Sequence, residues 1–194
     1  MPSKDLVLRT LHDVGLAAWF GGSLAGAVGI NGAANDVKDP TERLRVASAG
    51  WARWAPVSAL GIGAHLVGAV GLTLTNRDRI KYQDGVAAAS AGKTGVTVLA
   101  LTATAASGWL GQQRGNYDPV PAEGGVKPSA ATPPDVASRQ QQLRALQWTI
   151  PSLTGVLVAL TSQQGELQKP GPIIAGAARA RLKAGQRKIA DSLS

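Results

Sequence analysis

Four side chains in this 194-residue chain combine ionisable chemistry with surroundings nearly free of charge: His65, His12, Asp13 and Lys93. His65 lies near the middle of residues 54–76, a stretch without Asp, Glu, Lys or Arg. An ionisable group at that depth in an apolar span is costly and therefore signals function. Three roles are open to it: haem or metal ligand, proton relay, or interhelical hydrogen bond to a Thr or Ser. Ser58, Gly61 and Gly68 share its helical stripe, so it is expected to face other helices. His12, the only other histidine, precedes the charge-free stretch 14–35 and is expected near the membrane surface. His65 would then sit roughly 16 Å deeper, counted at the rise of an α-helix. Two axial ligands of one haem need a common depth on facing helices, and His12 is poorly placed for that. The alternative reading is therefore haem b held by His65, with His12 the weaker candidate for a second ligand. No cofactor is the leading expectation. The chain has no cysteine, its only methionine is Met1, and no acid falls inside a charge-free stretch, so no metal-ligand set is expected.

Lys93 has two readings. If its helix begins near Val86, the ammonium lies about 10 Å along it and pairs with Asp13. If the helix begins at Thr94, Lys93 is a flanking anchor, and this is the expectation. Residues 87–94 (A-A-A-S-A-G-K-T) also mimic a phosphate loop with Ala87 in place of the first glycine. That motif needs a strand before it and a flexible turn, and neither is present. Nucleotide binding is excluded.

The elements that must position these groups follow from the charge pattern. Residues 14–35, 54–76, 94–113 and 145–165 are four charge-free stretches, each long enough as a helix to cross a hydrocarbon core about 30 Å thick. A helix on a soluble domain would carry polar residues on its wet face. The expected fold is all-α: a four-transmembrane-helix bundle, residues 1–165, with spans at about 14–35, 54–76, 90–113 and 145–165. The net charge of +8 is concentrated beside these spans, which points to anionic headgroups rather than nucleic acid. Lys and Arg number 12 on the face holding both termini and 8 on the other, so the positive-inside rule makes the termini cytoplasmic, in the cell membrane. Trp51, Trp54, Trp109 and Trp148 all fall at the opposite interface.

Asp39-Pro40-Thr41-Glu42 is a helix-start signature that predicts an interfacial helix running into span two, kinked near Pro56. Residues 115–138, rich in proline, read as a flexible loop. Residues 166–194 form a basic amphipathic cytoplasmic tail, with Arg179, Lys183, Arg187 and Lys188 facing an anionic leaflet. Small residues recur at helical spacing in every span: Gly22 and Gly26, Gly61 and Gly68, and Gly155 with its neighbours Ser152 and Ala159. In lipid, close backbone approach supplies the attraction between helices, so these predict tight packing without a large pore.

Leu11-His12-Asp13-Val14-Gly15-Leu16-Ala17-Ala18-Trp19-Phe20-Gly21-Gly22 resembles the first helix of CopD-like copper-resistance membrane domains, which open with a leucine-histidine pair and a tryptophan-x-glycine-glycine turn. Ala49-Gly50-Trp51-Ala52-Arg53-Trp54-Ala55-Pro56-Val57 and Gly63-Ala64-His65-Leu66-Val67-Gly68 resemble actinobacterial membrane proteins. The resemblance covers spans one to three, about half the chain, and implies a four-helix architecture. The methionine and histidine richness of copper handling is missing.

With glycine seams, no intramembrane acid and no catalytic constellation, the expected role is non-catalytic: an accessory or scaffolding subunit among other membrane protein subunits. A haem- or metal-linked redox protein using His65 is the alternative, and a small-solute transporter the third reading.

Overall fold

A computed structural model describes residues 4–77, 86–113 and 119–167. The basic tail, including Arg179, Lys183, Arg187 and Lys188, lies outside the described residues. The fold is predominantly helical. Helix α1 (Lys4–Ala25) continues through a π-helical turn, Gly26–Ile30, into the short α2 (Asn31–Asn35). Helix α3 covers Arg43–Thr75, α4 Val86–Gln112 and α5 Pro134–Leu167. Between α4 and α5, β1 (Ala122–Gly124) pairs antiparallel with β2 (Lys127–Pro128).

Among the described residues, three helices are long and apolar enough to cross a membrane: Lys4–Asn35, Arg43–Thr75 and Pro134–Gln163. Helix α4 matches them in length, and its apolar run carries Lys93 together with Thr94, Thr97, Thr102 and Thr104. The hydroxyls of these threonines bond back to carbonyls four residues earlier, as Thr104 Oγ1 does to Ala100 O at 2.8 Å, which lowers the cost of burying them.

Each helix begins well before its charge-free stretch. The helical hydrogen bonds tolerate charges at the ends, so Lys4, Arg43, Val86 and Pro134 open helices whose apolar portions start later. At α3, Asp39 does not cap the helix directly. Its carboxylate accepts the Thr41 N–H at 2.9 Å and the Thr41 hydroxyl at 2.7 Å, forming a turn that ends at Arg43. These two donors hold the exposed Asp39 carboxyl below its ordinary range. The helix expected before span two runs into it, since α3 is one helix from Arg43 to Thr75 with Pro56 inside. Proline removes one backbone donor, and the rest of the ladder carries the helix across it.

The segment expected to be a flexible loop requires a larger correction. Its described part, from residue 119, forms the hairpin and the first turn of α5. Thr132 Oγ1 donates to Pro121 O at 2.6 Å and accepts the Ser129 N–H at 2.8 Å, closing the neck of the loop. Arg43 clamps the hairpin from α3, donating through Nε to Val37 O at 2.8 Å and through Nη1 to Ala122 O at 3.2 Å. Val126 at the hairpin tip is buried with Leu110 and Leu143. Proline and glycine here shape a compact turn rather than a floppy one, because side chains from two helices satisfy its carbonyls.

A second apolar cluster joins Trp19, Ala100, Ala103 and Ile150, one residue or more from each of α1, α4 and α5. The packed unit ends at Leu157; the remaining described residues continue α5 as helix.

Candidate functional site

Helices α1 and α3 approach most closely where both carry glycine. A Cβ on Gly15 would overlap the backbone of His65 and Gly61, and one on Gly68 would overlap the backbone of His12 and Leu8. Gly61 faces Ala18 and Gly15 in the same seam. The missing side chains let the two backbones touch, and the histidines fill the space beside them. His12 and His65 are 4% and 1% exposed, and their ring centroids are 4.5 Å apart with planes tilted by 44°.

This placement corrects the expected separation in depth. Helix α1 begins at Lys4, so His12 lies two turns inside it rather than at its start. His65, in turn, is ten residues from the end of α3. Antiparallel packing then brings His12 level with Gly68, one turn from His65. The expected anchor role of Lys93 is corrected for the same reason. Seven residues inside α4, it lies within electrostatic reach of His12, His65 and Asp13. Asp13 is thus an acid inside a helix long enough to cross a membrane, where none was expected.

Hydrogen bonding defines the tautomers. A carbonyl only accepts, so the 3.2 Å contact between His65 Nδ1 and His12 O places a proton on His65 Nδ1. The His65 Nε2 lone pair is then left buried with no hydrogen-bond partner. His12 Nδ1 sits 2.7 Å from Asp13 Oδ1, and an ionised carboxylate there makes His12 a donor through Nδ1 as well. Both imidazoles are therefore oriented through Nδ1, with Nε2 left as the basic atom. Trp19 closes one side, its ring 6.0 Å from His65 and its Nε1 donating to Thr104 Oγ1 at 3.2 Å. Among the described residues no cluster of three or more His, Cys, Asp or Glu is suited to a metal ion.

The other small-residue positions serve different neighbours. Gly22 and Gly26 lie against the indole rings of Trp54 and Trp51, so this G-x-x-x-G receives aromatic side chains rather than a helix backbone. Gly155 faces Phe20. Residues 87–94 lie inside α4 apart from any loop, and nothing stands within 4 Å of Gly92 on the Cβ side.

A polar network missed in the sequence occupies the hairpin end. Asn31 Nδ2 donates to Gln147 Oε1 at 2.6 Å and to Ala27 O at 3.2 Å, while Asn31 Oδ1 accepts Trp51 Nε1 at 3.2 Å. One signal was available: Asn31 and Gln147 are uncharged amides inside otherwise apolar stretches. A pair of this kind in lipid must find a partner. The fold and site define a helical protein with membrane-length apolar helices and an ionisable cluster between three of them. No protein-family model, no curated protein and no solved structure matches the chain.

Proposed function

We propose that the chain is a four-crossing subunit of the cell membrane, with both termini cytoplasmic. In this reading it catalyses no covalent chemistry and acts as an accessory subunit of a larger membrane assembly through a proton held between His12 and His65. The observation that carries this reading is the buried, unpartnered Nε2 of His65 beside the His12 ring. A lone pair in that position is unsatisfied until a donor reaches it, and a proton on Nε2 of the neighbouring His12 ring would supply one and be shared between the two imidazoles. Asp13 on α1 and Lys93 on α4 are the charged groups that face the pair, and they supply one charge of each sign. Ionisable groups inside membrane spans mark proton relays and ion paths by default. Small residues at the α1/α3 seam leave no room for a wider passage. The α4 helix is long enough to make the fourth crossing.

Two measurements test this. Co-purification from native membrane should recover partner subunits, and a lone monomer with no partner would remove the accessory role. Nitrogen NMR of the labelled histidines in bilayers should show the two rings titrating together; independent titration, as in water, would remove the shared proton.

A redox role is favoured by one feature of the same site. Nδ1–H bonded to a carboxylate or carbonyl, with Nε2 free, is how proteins orient metal-ligating histidines. His65 and His12 would hold a haem through Nε2 and it would supply one-electron redox chemistry, but rings 4.5 Å apart would have to part to admit it. A Soret band in natively purified protein, lost in His65→Ala, would establish it.

A further inference from the structure

At the hairpin end a cleft of about 180 Å³ opens between the π-helical turn, the hairpin and α5. Its walls carry Asn31, Asn35, Lys127, Arg144 and Trp148, with Val28 at the apolar side. No carboxylate lines it. Neither Lys127 nor Arg144 has an ion-pair partner among the described residues, so two cations face one space uncompensated. We propose that this cleft binds the phosphate of an anionic lipid headgroup, with Lys127 and Arg144 as the charged contacts and Asn35 and Trp148 as further donors.

The arrangement is held in place rather than incidental. Val126 is anchored in the core between Leu110 and Leu143, and Arg43 grips the β1 carbonyls, so Lys127 projects from a fixed hairpin. Arg144 lies one turn before Gln147 and Trp148 on α5, and Gln147 is tied to Asn31. All three partners of Asn31 are satisfied, so it forms the back wall and leaves recognition to the cations. The π-turn at Gly26–Ile30 widens α1 where the cleft needs room, and such turns recur at functional sites.

Size and position select the ligand. A volume of 180 Å³ corresponds to about six waters, enough for a phosphate and its ester oxygens. It falls short of the roughly 300 Å³ at which pockets for whole drug-sized molecules begin. Val28 and Trp148, 58% and 50% exposed, sit at the mouth on helices of membrane-spanning length. An acyl chain leaving the phosphate therefore meets apolar surface, whereas a soluble phosphate gains nothing there. Basic pockets between transmembrane helices bind anionic headgroups in this way on the cytoplasmic side. With both termini cytoplasmic, this cleft faces the opposite leaflet, and its ligand is an anionic lipid of that leaflet. The inference rests on the membrane assignment and is independent of the histidine site.

The test uses the full chain purified in detergent, with added phosphatidylglycerol, phosphatidylcholine or inorganic phosphate. Phosphatidylglycerol should raise the melting midpoint and remain bound in native mass spectrometry, and phosphatidylcholine should do so less. Lys127→Gln with Arg144→Gln should weaken the phosphatidylglycerol effect about tenfold or more. Arg53→Gln, an exposed cation outside the cleft, should leave it unchanged. The charge-keeping pair Lys127→Arg with Arg144→Lys should retain it, which separates lost recognition from lost folding. An equal response to inorganic phosphate alone would overturn the lipid source. The cleft assignment would fall if wild type gave no response, or if the double glutamine variant responded as wild type does. Failure of the histidine titration experiment would leave this result standing, and the reverse is also true.

Discussion

Around His65, α1 and α3 touch backbone to backbone, whereas around Trp51 and Trp54 the same two helices are spaced by indole rings. Glycine is present at both places. At Gly15 and Gly68 it faces another main chain, with Gly61 against Ala18 and Gly15 in the same seam; at Gly22 and Gly26 it faces a side chain that can rotate. The consequence is a difference in what each region encloses. The close contact leaves space for two imidazoles and little else, and seals them from solvent. The spaced contact requires polar bridges, Asn31 to Gln147 and Trp51, and leaves a cleft beside them. A glycine stripe therefore does not define one kind of packing; the residue opposite does.

Substitution at the close contact should have the largest effect. Gly68→Ala places a methyl group against the His12 and Leu8 backbones, which cannot move without separating the helices. Overpacking of that kind should cost about 3 kcal/mol, read as the shift in unfolding midpoint in detergent. Gly63→Ala, which meets nothing within 4 Å, should be neutral or slightly stabilising in the same assay. Equal effects at the two positions would erase the distinction between the regions.

Asn31→Leu should come next. It leaves Gln147 and Trp51 without their partner, and hydrogen bonds between helices in lipid contribute up to roughly 1.7 kcal/mol. A loss of about 1.5 kcal/mol is expected, and a double-mutant cycle with Gln147→Leu should show that the two are coupled. Gly22→Ala should cost less than about 1 kcal/mol, since the Trp54 ring can turn aside and alanine favours the helix. Combining it with Trp54→Ala should abolish its penalty. If Gly22→Ala proves as costly as Gly68→Ala, the ring is as immovable as a backbone and the comparison fails.

The smallest effect concerns the turn before α3. Thr41 holds the Asp39 carboxyl below its ordinary pKa, so the contribution of this turn is complete above the unfolded value and is lost as pH falls through the lowered folded value. Amide exchange at Thr41 should accelerate only on that acid limb. Asp39→Ala should show the fast exchange at every pH. The site is fully exposed, so global stability should barely change.

The helical, apolar character of the chain was legible because it is written locally, in four runs without charge. His65, Gly61 and Gly68 also declared a common face, since helical spacing alone puts them there. Lys93 and His12 were misjudged for one reason. The charge-free stretches were taken as the helices, yet a helix extends past its apolar portion wherever its end groups remain solvated. That error of two turns moved His12 to the surface and Lys93 out of the span. Residues 119–133 were misjudged because proline and glycine report a turn but not what holds it. Thr132 does so from within the segment, and Arg43 from a position that no local pattern connects to it.

Composition and periodicity by themselves determined that this chain makes long apolar helices with an imidazole inside one of them, because both follow from residues within a few turns of each other. Only the tertiary structure decided that the second imidazole packs tilted against the first, that Lys93 and Asp13 join them, and that Lys127 and Arg144 share a cleft. Those pairings depend on helix register and on the hairpin clamp, which are set by contacts between residues far apart in the chain.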